Sequence, residues 1–170
     1  MESFKNFIKV TLIGAPLLNK IIGIFLISML PIIELRGAIP IGAAIGLPWY
    51  LNIIVSIVGN MLPVPFILLF SVKAFEFMKK HNIMVKFIEK IENRAKKRSE
   101  GLATGEFIGL MLFVAIPFPG TGAWTGALIA ALLQFDRKRS FFYIGLGVVI
   151  AAAIMTLASY GVISLFAPKH

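Results

Sequence analysis

Two charged side chains lie inside a long apolar run near the start of the chain. Glu34 and Arg36, with Gly37 and Pro40 just behind them, interrupt the segment 21–47, which is otherwise almost wholly apolar. A charged residue at the centre of a membrane costs about 2.5–3.5 kcal/mol, so it usually faces a cavity or a partner and has a function there. Arg36 could bind a phosphate or a carboxylate. Glu34 could carry a coupling proton, because burial favours the neutral carboxyl whereas a nearby guanidinium favours the ionised one.

The spacing of the two charges predicts how they face each other. Residues two apart point to the same side of an extended segment but to different sides of a helix. We therefore expect the break around Glu34 and Arg36 to be extended, with both side chains facing one cavity. The alternative is an ion pair with a purely structural role, which only fixes the conformation of the break.

A second apolar run, 107–133, is interrupted without any charge. The break contains a hydroxyl among residues that bend the backbone, and we expect these residues at the site: Pro117, Pro119, Gly120, Thr121 and Gly122. The hydroxyl and the backbone amides of such a break could donate hydrogen bonds to an anion. We expect the tips of the two breaks to meet near the middle of the membrane, as the broken helices of secondary transporters do.

A polar stripe is expected on the apolar segment 51–72. Asn52, Ser56 and Asn60 recur at every fourth residue, so they share one face of a helix. Such a face points to protein or water rather than to lipid. Two interpretations stay open. The face lines a substrate pathway, with Asn60 as a binding residue, or it holds helices together.

The elements that position these residues are helices in a membrane. The chain is 58% hydrophobic and 15% charged, with a mean hydropathy of +0.90, whereas about 25% of the residues of soluble domains are charged. We predict an all-α integral membrane protein with one membrane domain, 1–170. Its parts are an interfacial helix 1–19, repeat 1 at 20–72 (hairpin 20–48, span 50–72), a basic amphipathic linker helix 73–104, and repeat 2 at 105–163 (hairpin 105–134, span 140–163).

The hairpins are expected to be re-entrant, because each apolar half-run is only about half the ~20 residues that a spanning helix needs. The alternative for the first is one continuous span with proline kinks. The distribution of basic residues distinguishes a re-entrant hairpin from a continuous span. The linker holds nine basic residues against four acids, and residues 137–139 add three more. Re-entrant hairpins place both clusters on one side, which the positive-inside rule makes cytoplasmic. The two repeats are then inverted, and Gly37-Ala38 and Gly122-Ala123 echo each other after the breaks.

Several other functions are disfavoured by the sequence. The chain has no Cys and two His, so we expect no metal and no cofactor. It lacks a phosphate-binding loop, an H-E-x-x-H motif and a cooperating Ser-His-acid set, so we expect no enzyme activity. The formal charge of +9 is expected to face anionic lipid rather than nucleic acid. Small residues in the last span are compatible with a homodimer.

The two breaks resemble those of a known family. The motifs Glu34-Leu35-Arg36-Gly37-Ala38-Ile39-Pro40 and Pro117-Phe118-Pro119-Gly120-Thr121-Gly122-Ala123-Trp124 are similar to those of the small multidrug export proteins, which look like a distant branch of the DedA superfamily. The resemblance implies two inverted hairpin-plus-helix repeats and a transporter, and DedA members include transporters of polyprenyl phosphate carrier lipids. The second break differs from the better-studied DedA pattern, since Thr121 stands there without an acid or an arginine.

Three functions remain at this point. The first is a secondary transporter or lipid flippase of the cytoplasmic membrane that moves an anionic amphiphile, such as a phosphate-headed lipid, in exchange for or together with protons. The second is an exporter of cationic or neutral drugs, in which Glu34 binds the cation. The third is a non-transporting membrane scaffold, in which Glu34 and Arg36 form a structural pair.

Overall fold

The structure, a computed structural model, describes residues 16–70, 103–118 and 120–166, which form helices and turns without a strand in these ranges. The all-α prediction is confirmed for this part of the chain. The expected interfacial helix 1–19 up to residue 15, the expected linker helix up to residue 102, and Pro119 lie outside the described residues.

Six helices in the described ranges are numbered in chain order. They are α1 (Leu17–Met29), α2 (Glu34–Ala44), α3 (Trp49–Met61), α4 (Ala103–Ala115), α5 (Ala123–Leu132) and α6 (Arg137–Phe166). After residue 62 the helix of α3 continues over 63–70.

Two of these helical segments are long and apolar enough to cross a membrane. They are Trp49–Phe70, with 22 residues, and Arg137–Gly161, with 25 residues, and each has a mean hydropathy of 2.3. They overlap the predicted spans 50–72 and 140–163. The other apolar helices are too short to span, since α1 has 13 residues and α5 has 10 against the ~20 that a bilayer requires.

The chain reverses direction between α1 and α2. The Lys20 Nζ near the start of α1 donates to the Ile45 carbonyl at the end of α2, at 2.7 Å. Between these ends, Ile24 and Ile27 of α1 are buried in one cluster with Ala38 of α2. The pair is therefore a helical hairpin whose two ends lie together, the arrangement that a re-entrant element needs.

The turns that follow α2 and α5 have the same hydrogen bonds. The Leu47 N–H donates to the Gly42 carbonyl at 2.9 Å, and the Phe135 N–H donates to the Ala130 carbonyl at 2.9 Å. The residue before each donor has a positive φ, which is 73° at Gly46 and 56° at Gln134. This is the Schellman motif, which satisfies carbonyls at a helix end by one left-handed residue. It recurs 88 positions later in the chain.

Burial repeats at the same distance of 88. From Glu34 to Ala43, two buried residues alternate with two partly buried ones, and Gly122 to Ala131 follow the same order with one difference. The buried positions of α3 recur in α6 at the same distance for six of seven residues between 52 and 68. Gly37-Ala38 and Gly122-Ala123 are 85 apart, so the echo expected between them is out of register with this pattern.

The chain divides into two compact units that contain corresponding helical elements. One contains residues 1–60 and 150–170, and the other contains 61–149. Each therefore holds one helical hairpin, part of the span that follows it in the sequence, and part of the other span.

A glycine of the following span packs closely against the first helix of each hairpin. A Cβ on Gly59 would lie 2.6 Å from the Phe25 carbonyl oxygen, and a Cβ on Gly147 would lie 2.6 Å from the Met111 carbonyl oxygen. Backbone atoms cannot move aside as a flexible side chain can, so both positions require glycine for close helix contact.

We predict that Gly59→Ala and Gly147→Ala each destabilise the protein by about 1–3 kcal/mol, the usual cost of overpacking. The matched control is Gly109→Ala on α4, where nothing lies within 4 Å of an added Cβ. Alanine should be neutral there or stabilise by up to about 1 kcal/mol. Thermal unfolding of the detergent-solubilised variants measures the difference. Equal midpoints for all three would contradict the close contacts.

Candidate functional site

The first break is short and leads directly into a helix. It covers residues 30–33, and α2 already begins at Glu34. The Glu34 N–H donates to the Leu30 carbonyl at 2.9 Å, and the Gly37 N–H donates to the Ile33 carbonyl at 3.0 Å. The expectation of an extended segment through Glu34 and Arg36 was therefore wrong, because these backbone bonds wind the segment into the first turn of α2.

Glu34 nevertheless faces Arg36, although the two residues are two apart on a helix. The Glu34 backbone has a φ of 50°, in the left-handed region that costs non-glycine residues about 1–3 kcal/mol. The two side chains form an ion pair with 3.8 Å between Arg36 Nη1 and Glu34 Oε2. The unusual backbone at Glu34 thus gives the proximity that we had expected from an extended chain.

The two charges differ in their accessibility. The Arg36 side chain is 16% exposed, whereas the Glu34 side chain is 4% exposed. Arg36 is therefore the more accessible partner of the pair, although both side chains are largely buried.

Gly37 and Pro40 shape the helix that carries this pair. A Cβ on Gly37 would overlap the Ile33 side chain, so glycine lets the break pack onto α2. Pro40 lies inside α2 and has no N–H to donate to the carbonyl four residues before it, that of Arg36. These two candidate residues act through the backbone, without side-chain chemistry of their own.

The second break is fixed by its hydroxyl. The Thr121 Oγ1 lies 2.8 Å from the Ile116 carbonyl and 2.8 Å from the Phe118 carbonyl. Gly120 and Gly122, on either side, have φ values of 86° and 132°, which a residue with a Cβ rarely adopts. The Thr121 proton therefore closes the turn. Pro117 precedes this turn and is bridged by a bond from the Phe118 N–H to the Ile116 carbonyl at 2.8 Å.

The polar stripe of α3 is confirmed to face protein, since Asn52, Ser56 and Asn60 are all 0% exposed. The Asn52 Nδ2 donates to the Ile39 carbonyl of α2 at 2.8 Å, and the Ser56 Oγ donates to Asn52 Oδ1 at 3.4 Å. Asn52 therefore joins α3 to α2, whereas the Ser56 bond lies within α3. The Asn60 amide is buried and has no side-chain hydrogen-bond partner within the described residues, which sets it apart from the other two members of the stripe.

Tyr160 completes this network, although it was not among the residues predicted for the site. Its hydroxyl donates to the Leu47 carbonyl at 2.5 Å and lies 3.1 Å from Asn52 Nδ2. The residues are more than a hundred positions apart in the chain. The one signal is that a tyrosine near the end of an apolar span needs a partner for its hydroxyl.

The candidate residues fall into the two units. Glu34, Arg36, Gly37, Pro40 and Asn60 belong to one, and the described residues of the second break belong to the other. The meeting of the two breaks stays a prediction. Among the described residues, no three His, Asp or Glu are placed to hold a metal ion.

The short apolar helices and the two apolar helices of spanning length are those of a helical membrane protein. The model of a family described as "Putative small multi-drug export protein" matches residues 34–154, which is most of the chain. The chain therefore belongs to this family of export proteins, and its location is a membrane. The match begins at Glu34 and includes Arg36 and the whole second break. No curated protein and no solved structure matches the chain.

We predict that Tyr160→Phe destabilises the protein by about 1–3 kcal/mol, because it leaves the Leu47 carbonyl without this donor in a largely apolar setting. Tyr50→Phe is the matched control, since Tyr50 is 50% exposed and such surface changes usually stay within about 0.5 kcal/mol. Thermal unfolding in detergent compares the two. If both variants melt like the wild type, the Tyr160 hydroxyl does not hold these helices.

Proposed function

We propose that the protein is a secondary transporter or lipid flippase, DedA-like in architecture, that moves an anionic amphiphile such as a polyprenyl phosphate carrier lipid. Arg36 binds the anionic headgroup, and Glu34 carries the coupling proton. The observation that supports this assignment best is the order of the two charges, with Arg36 the more exposed partner and Glu34 almost fully buried behind it. A guanidinium in this position suits a phosphate or a carboxylate.

The ion pair offers a way to couple the substrate to a proton. In the empty site the Arg36 guanidinium stabilises the Glu34 carboxylate. An anion that pairs with Arg36 takes over part of this interaction and adds a second negative charge nearby, and both effects favour a neutral carboxyl. Glu34 then binds one proton as the anion binds, so that one negative charge enters the site together with one proton.

The re-entrant, inverted architecture belongs to the same proposal. It is supported by the contact of Lys20 with Ile45, by the identical turns after α2 and α5, and by the burial pattern that recurs after 88 residues. In this arrangement both hairpins return to the side from which they enter, and the basic linker 73–104 lies in the cytoplasm.

Labelling of single cysteines tests this topology, because the chain has no native Cys. Leu18 and Trp49 flank the first hairpin and are 64% and 59% exposed. We predict that Leu18→Cys and Trp49→Cys react with an impermeant thiol reagent from the same side of oriented membrane vesicles, and Arg139→Cys from the opposite side. Labelling of residues 18 and 49 from opposite sides would show that the first hairpin crosses the membrane.

A flip assay in proteoliposomes tests the assigned roles. We predict that Arg36→Ala slows the translocation of a fluorescent polyprenyl phosphate at least about tenfold, since it removes a charge-assisted contact worth about 1.5–3 kcal/mol, whereas Arg36→Lys keeps part of the rate. Glu34→Gln should lose the acceleration by a proton gradient. Circular dichroism and size-exclusion chromatography check that the variants fold. Translocation by Arg36→Ala at the wild-type rate would remove Arg36 from the substrate site.

The second candidate is an exporter of cationic or neutral compounds, which the description of the family favours. In that case Glu34 binds the cation, and Arg36 restrains Glu34 until the cation arrives. Exchange of a cationic dye for protons would then be lost in Glu34→Gln and retained in Arg36→Ala, the reverse of the order expected for an anion. If every variant of the pair loses stability and function together, the pair is structural and the protein acts as a scaffold.

A further inference from the structure

A groove with charges at one end lies between the first span and the start of α6. Its volume is about 280 Å³, and its walls are Pro65, Leu68 and Leu69 on one side and Arg137, Lys138 and Phe141 on the other. All six residues belong to the unit 61–149. Four of the six side chains are apolar, and the two cations stand next to each other in the first turn of α6.

The dimensions and exposure of this groove suit an alkyl chain. An apolar cavity of about 150 Å³ holds benzene in other proteins, so this groove has room for a stretch of hydrocarbon. Leu69 and Phe141 are 48% and 42% exposed, so the groove opens outward. Because both helices are membrane spans, the surroundings of the groove are lipid.

The charges decide which lipid fits. Basic side chains at the end of a spanning helix reach the level of the headgroups, and Arg137 and Lys138 are both exposed. The nearby carboxylate of Asp136 accepts a hydrogen bond from the Arg139 N–H at 2.8 Å, so it occupies the helix end. Recognition of a headgroup therefore rests on the two cationic side chains, and it requires a negative charge on the lipid.

We propose that this groove binds an anionic phospholipid, with an acyl chain against Pro65, Leu69 and Phe141 and the phosphate at Arg137 and Lys138. The site uses none of the residues of the Glu34–Arg36 pair. It therefore goes beyond the proposed transport function and stands or falls independently of it. A phospholipid held there joins the end of one span to the beginning of the other.

Native mass spectrometry of the full-length protein in detergent tests the proposal by titration with phosphatidylglycerol, with phosphatidylcholine as the neutral reference. Each basic residue near an anionic headgroup contributes about fivefold in affinity. We expect Arg137→Gln and Lys138→Gln each to weaken phosphatidylglycerol binding about fivefold, and the double variant roughly 30-fold. Arg139→Gln changes the net charge equally but does not line the groove, so its effect should stay below about twofold.

A second pair of variants probes the apolar part. Leu69→Trp fills the groove and should weaken binding, whereas Phe70→Trp, at an adjacent exposed position outside the lining, should not. Equal losses in the three single charge variants, equal retention of both lipids, or displacement of the lipid by millimolar inorganic phosphate would each overturn the proposal. The first two would show unspecific attraction, and the last a site for a soluble anion.

Discussion

Every backbone polar group within a bilayer must find its partner inside the protein, and two interrupted helices make this constraint severe. Each interruption creates helix ends whose amides and carbonyls have no partner in their own helix. The scarce polar side chains of the described chain lie where such groups arise. Lys20 reaches the Ile45 carbonyl, Asn52 reaches the Ile39 carbonyl, and Thr121 closes the second break. Lys20 thus serves the end of α2, Asn52 a carbonyl within α2, and Thr121 the second break.

An ion pair such as Glu34–Arg36 is not needed to supply hydrogen-bond partners for the backbone at a break. The second break is held by a hydroxyl and by glycines, without any charge. A buried ion pair seldom stabilises a protein more than apolar residues of the same size would, and the left-handed backbone of Glu34 adds a further cost. A chain that only needed to fix its first break could have done so as it fixed the second. The cost of the pair therefore favours a role in binding over a purely structural one.

The features that could be predicted from the sequence are those that depend only on the pattern of residues along the chain. The two spans, the positions of the breaks and the polar face of α3 follow from the length of apolar runs and from a spacing of four. The conformation of Glu34 does not, because no pattern of residue types predicts a positive φ on a glutamate. Nor does Tyr160, whose partners Leu47 and Asn52 are distant in sequence. The repeat was expected because hairpin plus span occurs twice, with a Gly-Ala echo at 85 as support, but burial repeats at 88.

The turns and the burial pattern that recur after 88 residues form a common frame for the two halves of the chain. Differences between residues at equivalent positions of this frame are therefore informative. Gly42 accommodates the buried Asn52, because a Cβ at Gly42 would overlap the Asn52 amide. At the equivalent positions 88 residues later stand Ala130 and Ser140, a larger residue on the helix and a smaller one on the span. Both pairs fill the frame, but only the first supplies an amide that binds a backbone carbonyl of the helix that carries Glu34 and Arg36. The same turns and burial in both halves show that the frame does not need this amide or these charges. The restriction of the two charges to the first half is therefore in keeping with the binding role that we propose for Glu34 and Arg36.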